Sequence, residues 1–258
     1  MSLYVYQSGT ASAPAIIFLH AIVTSGWMWQ QQVAALADFH CLVPDLPGHG
    51  QSARQPWVSL AATAMEIANV IRQRTAHGQA HIVGLSLGSY VGLQLMSAQP
   101  DVVDHVVLSG LNVLPLPHLF WMNVLGVVLL PVLKTDRMIR LNAIALRVPD
   151  EAYTGYRHAA RQMSRRAYLR ASGDAGRFQL PRNLAAVACP TLVVAGEHEH
   201  ALIHQSLGVV TQALPNAHAR LAPGVGHGWS GENPTLFAQT IRAWITNAPL
   251  PAELRTVP

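Results

Sequence analysis

Hydrophobic positions along most of the chain follow two alternating patterns. Short continuous apolar runs are typical of strands buried on both faces, and they alternate with longer segments whose apolar residues recur every three or four positions, as in helices. This alternation predicts an α/β fold, a mostly parallel sheet with helices on both faces. The predicted strands are Leu3–Gln7, Ala15–His20, Cys41–Asp45, Ala80–Gly84, Val102–Leu108, Thr191–Ala195 and Arg220–Pro223. The predicted helices are Gly26–Leu36, Leu60–Gln73, Tyr90–Ala98, Leu202–Leu214 and Pro234–Ile245.

The alternation stops after Gly110 and resumes some seventy residues later. We therefore predict one domain over 1–258 with a helical cap insert at about 111–181. Within the insert, Leu119–Leu133 is apolar nearly all round, so it must be buried or must cover an apolar surface. The insert leaves the sheet where the catalytic loops of parallel sheets gather, which makes it the expected roof of a pocket.

A second segment of the insert, Glu151–Ala171, predicts a long amphipathic helix. One face carries tyrosine, methionine and alanine, and another carries Arg157, Arg161 and Arg165 at steps of four. Such an arginine stripe is usually a solvated outer face. A binding site for anionic substrates is the less favoured alternative.

Composition narrows the functional classes. Half of the 258 residues are hydrophobic and 12% are charged, so a sizeable core is available. The net charge of +4 is spread along the chain without a basic block, which argues against nucleic-acid binding. No segment has the pattern of a secretion signal or of a membrane span, and Cys41 and Cys189 are expected to be buried free thiols. We expect a soluble, cytoplasmic protein with no membrane partner.

The strongest chemical motif is Gly84-Leu85-Ser86-Leu87-Gly88, between a predicted strand and a predicted helix. Small residues allow a tight strand-to-helix turn, and a serine at its centre is held in a strained backbone at the helix N-terminus. The helix dipole and free N–H groups there favour developing negative charge. We predict that Ser86 is a nucleophile.

A nucleophilic serine needs a base and an acid that orients the base. His227 lies in a glycine-rich loop after the last predicted strand and is the predicted general base. The loop after Thr191–Ala195 offers two acids, and we favour Glu199 over Glu197 because it lies further beyond the strand.

Two backbone N–H groups are needed for the oxyanion. Leu87 follows the nucleophile directly, and Ile22 lies in the loop after the strand Ala15–His20; these are the predicted donors. His198, His200 and His204 share the loop of the acid, but their spacing lacks the further ligands of a zinc motif, so no metal is predicted there.

These motifs, in their order along the chain, resemble those of the α/β-hydrolase superfamily over nearly the whole length. The resemblance is carried by His20-Ala21, by Asp45-Leu46-Pro47-Gly48-His49-Gly50-Gln51-Ser52, by Gly84–Gly88, by Gly196–Glu199, and by Gly224–His227 with Glu232-Asn233-Pro234. It implies a triad of Ser86, Glu199 and His227, an oxyanion hole from Ile22 and Leu87, no cofactor, and a cap over the pocket. The chain departs from the family pattern at Ala21, where glycine is usual, and at Glu199, where aspartate is more frequent.

The expected activity is hydrolysis of a small-molecule carboxylic ester of a small to medium apolar acid through an acyl-enzyme. One alternative is hydroxynitrile or carbon–carbon lyase chemistry, because His20–Trp29 is similar in layout to the loop of plant hydroxynitrile lyases and methylesterases. Those lyases carry a lysine after the catalytic histidine, where this chain has Gly228, which favours hydrolysis. The other alternative is a hydrolase-like binding protein of low turnover.

Overall fold

The computed structural model describes residues 2–115 and 134–257, so the predicted apolar segment Leu119–Leu133 lies outside the described residues. Eight strands form one sheet in the order β1-β3-β2-β4-β5-β6-β7-β8. The strands are β1 Val5–Ser8, β2 Ala15–Leu19, β3 His40–Pro44, β4 Ala80–Leu85, β5 Val103–Ser109, β6 Thr191–Gly196, β7 Ala217–Ala222 and β8 Arg255–Thr256.

The six inner strands, from β3 to β7 in the order of the sheet, all pair in parallel. This confirms the predicted mostly parallel sheet. The two edge strands differ, because β1 pairs antiparallel with β3 and β8 pairs antiparallel with β7. The sequence pattern missed β8, which is two exposed residues long and carries no apolar run. It also predicted β7 too short, because only part of that strand is apolar.

Helices cover both faces of the sheet. The helices are α1 Gln30–Ala35, α2 Leu60–Arg74, α3 Leu87–Ala98, α4 Asp136–Ala145, α5 Tyr153–Gln162, α6 Arg165–Gly176, α7 Ala201–Ala213, α8 Trp229–Glu232 and α9 Pro234–Ile245. One core lies between the sheet and α2, α3, α6 and α7, and the other lies between the sheet and α1, α8 and α9. Among these described helices, none is both long and apolar enough to cross a membrane.

On α2, the apolar residues Ala61 and Met65 are exposed and do not belong to the buried face. The side chain of Ser59 caps α2, and the buried stripe then runs through Leu60, Ala64 and Ile67 at helical spacing. The expected burial of both thiols holds fully only for Cys41, since Cys189 is partly exposed; both are free.

The segment predicted as one helix over Glu151–Ala171 forms two, α5 and α6. The break falls at Ser164, whose extended backbone and side-chain hydrogen bond to the Ala167 N–H (3.1 Å) start α6. On α5, the guanidinium groups of Arg157 and Arg161 both bind the carboxylate of Asp136 on α4. These arginines are therefore occupied in a partly exposed ion-pair cluster.

The start of α3 packs against the end of β2 without room for a side chain. A Cβ atom on Gly88 would overlap the carbonyl oxygen of Leu19, and one on Gly84 would lie 2.7 Å from the Gly88 carbonyl oxygen. Only glycine lets these backbones approach so closely. The two glycines thus fix how α3, and the serine before it, sits on the sheet.

We expect Gly88→Ala to lower the free energy of unfolding by about 3 kcal/mol or more, because backbone atoms must move to admit the methyl group. Gly208 is the matched control: it lies inside α7, and a Cβ there would meet nothing within 4 Å. Gly208→Ala should stabilise the protein by about 0.5–1 kcal/mol. Urea denaturation followed by circular dichroism measures both, and equal stabilities of the two variants would contradict the packing argument.

Candidate active site

Ser86 lies in a strained turn between β4 and α3. Its φ of 52° is in the left-handed region that favours glycine, and with ψ of −113° it is a conformation that a serine adopts only when its surroundings hold it there. Its N–H donates to the Ser109 carbonyl oxygen at 2.8 Å. The side chain is partly exposed and lines a cavity above the carboxyl ends of the strands.

His227 and Glu199 form a close pair at the same edge of the sheet. His227 Nδ1 lies 2.9 Å from Glu199 Oε2, and the Glu199 side chain is completely buried while that of His227 is 28% exposed. The other oxygen, Glu199 Oε1, accepts from the Gly196 N–H at 3.2 Å. With the ring proton on Nδ1, this N–H donates a hydrogen bond to the carboxylate, and Nε2 is left as an acceptor.

Glu197 is held elsewhere. Its carboxylate accepts from the Gly224 N–H at 2.8 Å and from the Arg255 guanidinium of β8 at 2.6 Å. The Gly224 N–H is the main cause that lowers the pKa of this carboxyl. Of the two acids considered from the sequence, the structure brings Glu199, and not Glu197, to His227.

Ser109, at the end of β5, connects the serine turn to the histidine loop. Its carbonyl oxygen accepts from the Ser86 N–H and from the Ser89 hydroxyl (2.8 Å each), and its N–H donates to Ser89 Oγ at 3.0 Å. Its own hydroxyl accepts from the Trp229 indole N–H at 2.6 Å. Because Trp229 follows His227 by two residues, Ser109 fixes both chain segments through buried bonds.

Gly110 is a second site residue that the sequence analysis missed. Its φ is +65°, and a Cβ there would lie 2.7 Å from His227 Cε1. The absent side chain is therefore what allows the imidazole to pack over the end of β5. A glycine directly after a buried strand, at the edge where the other motifs gather, was the available signal.

The loop after β2 holds Ile22, which lines the same cavity as Ser86. Leu87 opens α3, so its N–H has no acceptor within the helix. Two groups of the neighbouring strand ends hold this loop. The Asp45 carboxylate accepts from the Gly26 N–H at 2.7 Å, and the His20 ring accepts at Nε2 from the Leu46 N–H at 2.9 Å.

His20 is a neutral scaffold residue. Its side chain is fully buried, and burial lowers its pKa from 6.5 to about 4. Nδ1 lies 2.8 Å from the Ala21 carbonyl oxygen, so the ring donates there and accepts from Leu46 on its other side. Protonation would place two donors, the Leu46 N–H and Nε2–H, against each other.

The cavity has a volume of about 470 Å³. Its walls come from the loop after β2, the serine turn, the histidine loop and the insert. The insert contributes mainly apolar side chains, including Leu146, Val148, Pro149 and Tyr156, and Glu151 is the one charged acid among the described lining residues. A chamber of this size, lined mainly by apolar side chains, suits an apolar small molecule.

Comparisons with known proteins support the fold. The sequence profile of the alpha/beta hydrolase family matches residues 16–240. An AB hydrolase superfamily protein of Gibberella zeae is 26% identical over 98% of this chain and 87% of its own length. The pimeloyl-[acyl-carrier protein] methyl ester esterase of Vibrio cholerae is 33% identical over 42% of this chain and 40% of its own. The structure of a thermophilic esterase from Thermogutta terrifontis superposes with a TM-score of 0.78 at 21% identity, covering 95% of this chain and 93% of that one.

Because burial lowers the pKa of His20, we expect the protein to lose stability in mild acid. Its pKa is lower in the folded than in the unfolded protein, so between pH 6.5 and 4 the unfolded chain binds the extra proton and stability falls as the pH falls. The contribution is about 3.5 kcal/mol at most, at about 1.4 kcal/mol for each pKa unit.

His20→Gln keeps an acceptor for Leu46 but cannot be protonated, so its unfolding free energy should depend less steeply on pH over this window. His77→Gln, at an exposed position, is the matched control. Urea denaturation at a series of pH values measures both variants. A His20→Gln profile parallel to that of the wild type would show that His20 does not titrate as proposed.

Proposed function

The chain belongs to the alpha/beta hydrolase family, and from this premise we propose that it is a serine hydrolase cleaving carboxylic esters of small to medium apolar acids. The observation that carries the proposal is the buried Glu199 carboxylate on Nδ1 of His227, at the rim of the cavity that Ser86 lines. An imidazole oriented in this way by a buried acid is the base that a serine nucleophile requires.

In the proposed reaction, Ser86 Oγ attacks the ester carbonyl carbon while His227 Nε2 takes the hydroxyl proton. The oxyanion forms between the N–H groups of Ile22 and Leu87, and Glu199 stabilises the imidazolium. The imidazolium then gives its proton to the departing alkoxide, which leaves as an alcohol. A water molecule, deprotonated by His227, then attacks the acyl carbon. The bond from this carbon to Ser86 Oγ breaks, the imidazolium returns its proton to Oγ, and the carboxylic acid leaves.

The strained turn at Ser86 supports its role as the nucleophile. Ser86 is held at φ 52°, with its N–H bound to the Ser109 carbonyl oxygen. Backbone strain of this kind is concentrated at functional sites, because the surrounding structure must stabilise it. The turn holds the serine at the N-terminus of the twelve-residue helix α3, whose dipole favours the oxyanion beside Leu87.

Ester substrates with apolar acyl groups are favoured by the cavity and by a relative. The insert lines the chamber mainly with apolar side chains, so an acyl chain can leave water there. The Vibrio cholerae relative is named as a methyl ester esterase, and a methyl ester of this kind is a carboxylic ester.

Lyase chemistry is less well supported. Gly228 follows His227, and the chain's single lysine, Lys134, donates to the carbonyl oxygens of Arg161 and Met163 at the insert. No cationic side chain of the lyase type therefore follows the base. The other alternative, a binding protein of low turnover, would be excluded by sustained turnover of an ester substrate.

We expect Ser86→Ala to lower kcat on p-nitrophenyl butyrate by about 10⁴-fold or more, because the base has no effect without its nucleophile. Ser230→Ala is the matched control, since Ser230 lines the same cavity, and it should retain most of the activity. An organophosphonate should label wild type stoichiometrically at Ser86 by mass spectrometry. A label at another serine, or a folded and active Ser86→Ala protein, would reject the mechanism.

Separate substitutions of Glu199 and Glu197 test which of the two acids orients His227. Glu199→Gln should lower kcat on the order of 10⁴-fold, because the amide can stabilise neither the imidazolium nor the correct tautomer. Glu197→Gln, whose carboxylate binds Gly224 and Arg255, should lose far less. Steady-state kinetics, with folding checked by circular dichroism, measures both. The reverse order of effects would give the orienting role to Glu197.

A further inference from the structure

Three metal-ligating side chains converge at the opposite end of the sheet from Ser86. His81 is the second residue of β4, and Asp104 and His105 are the second and third residues of β5. One ligand atom from each of the three lies within 4.8 Å of the others. Asp104 Oδ1 lies 2.8 Å from His105 Nδ1, and Asp104 Oδ2 lies 3.6 Å from His81 Nδ1.

A β-bulge produces this convergence. Ala80 pairs with Val103 and Ile82 pairs with Val106, so one residue of β4 faces two residues of β5. In a regular strand, Asp104 and His105 would point to opposite faces of the sheet. The bulge re-aims one of the two side chains so that both face His81.

The buried nitrogen of His81 lacks a partner. Its side chain is only 7% exposed, and Nδ1 makes no hydrogen bond, since the nearest carboxylate oxygen is 3.6 Å away. Polar atoms buried in this way are normally satisfied, so an unsatisfied one asks for an explanation. A cation between His81 Nδ1 and the Asp104 carboxylate would supply the missing partner.

We propose that His81, Asp104 and His105 bind a divalent transition metal ion of the zinc type. Two imidazoles and one carboxylate are a common ligand set for such ions, with water in the remaining position. Zinc–ligand bonds of about 2.1 Å in tetrahedral geometry place neighbouring ligand atoms about 3.4 Å apart. The ligand atoms of this cluster already lie within 4.8 Å of one another.

Surrounding residues suit a bound ion. His105 Nε2 lies 3.3 Å from Asn247 Oδ1, an acceptor that would fix the ring with Nδ1 towards the metal. Asp104 is 49% exposed, which leaves a path for the ion and room for a water ligand, whereas His81 and His105 are 7% and 12% exposed. Magnesium and calcium prefer all-oxygen sites and do not fit two imidazoles.

The site lies about 16 Å from Ser86, because five residue steps of extended chain, at about 3.3 Å each, lead from His81 to Ser86. A metal ion there cannot touch the substrate. Its effect would be to join β4, β5 and, through Asn247, the segment after α9. The proposal is therefore independent of the hydrolase activity.

Isothermal titration of the metal-free full-length protein with Zn²⁺ tests the site, with Co²⁺ absorption as a second readout of nitrogen and oxygen coordination. We expect one Zn²⁺ per chain and a thermal unfolding midpoint that rises with Zn²⁺ concentration. Asp104→Ala, a change at a half-exposed side chain, should weaken binding at least tenfold, as should His105→Ala. His77→Gln, an exposed histidine four residues before His81, should bind as wild type does.

Binding that is unchanged in Asp104→Ala and His105→Ala would place the ion elsewhere, for example at His198 and His200, and would overturn the proposal. The absence of any Zn²⁺ binding at 100 micromolar, roughly the weakest affinity useful to a resident metal, would leave an ion-paired His–Asp–His cluster and would overturn it equally. No variant of the buried His81 is used in this test, so the outcome does not depend on whether such a variant folds.

Discussion

The geometry of the candidate active site depends on the hydrogen bonds that converge on Ser109. Its carbonyl oxygen, N–H and hydroxyl all find partners in the buried interior, and those partners belong to the serine turn and to the histidine loop. The indole of Trp229, fully buried against Phe237 with ring centroids 4.4 Å apart, makes this connection rigid. A buried polar group left unpaired costs about 1–3 kcal/mol, so the two segments cannot separate without losing several such bonds. Ser86 and His227 thus sit on a common support, although they are 141 positions apart in the chain.

Burial divides the histidines of this region into two kinds. His20 and His49 are almost completely buried, and desolvation lowers their pKa values to about 4 and about 3, so at neutral pH both rings are uncharged scaffolding. His227 is partly exposed to the cavity and faces a buried carboxylate instead. In the proposed mechanism, the carboxylate of Glu199 stabilises the imidazolium that His227 forms.

The fold could be predicted from the sequence because strands buried on both faces leave a strong local signal, and the motif order constrained the site. The remaining features depend on contacts that the hydrophobic pattern does not show. The split of α5 from α6 depends on the cap at Ser164. Alternation could not separate Glu199 from Glu197, since residues two apart share a face of a strand. Glu199 was favoured because it lies further beyond the strand, and the structure adds that Glu199 accepts from the Gly196 N–H whereas Glu197 binds Arg255 of a strand 58 residues away. The role of Ser109 appears only once the histidine loop is placed against β5.

The same two strands, β4 and β5, carry groups of chemical interest at both ends, and the physics of the ends differs. Loops at the carboxyl ends bring Ser86 and His227 to one cavity and place Glu199 beside His227, although the three residues are distant in the chain. At the amino ends no loop is needed, because a single bulge brings neighbouring residues of one strand against the next. Such a site is rigid and lies within the sheet, which suits a structural ion better than a reacting substrate. A metal held there would reduce relative movement of β4 and β5, and its influence on the serine turn would pass through the strand backbone alone.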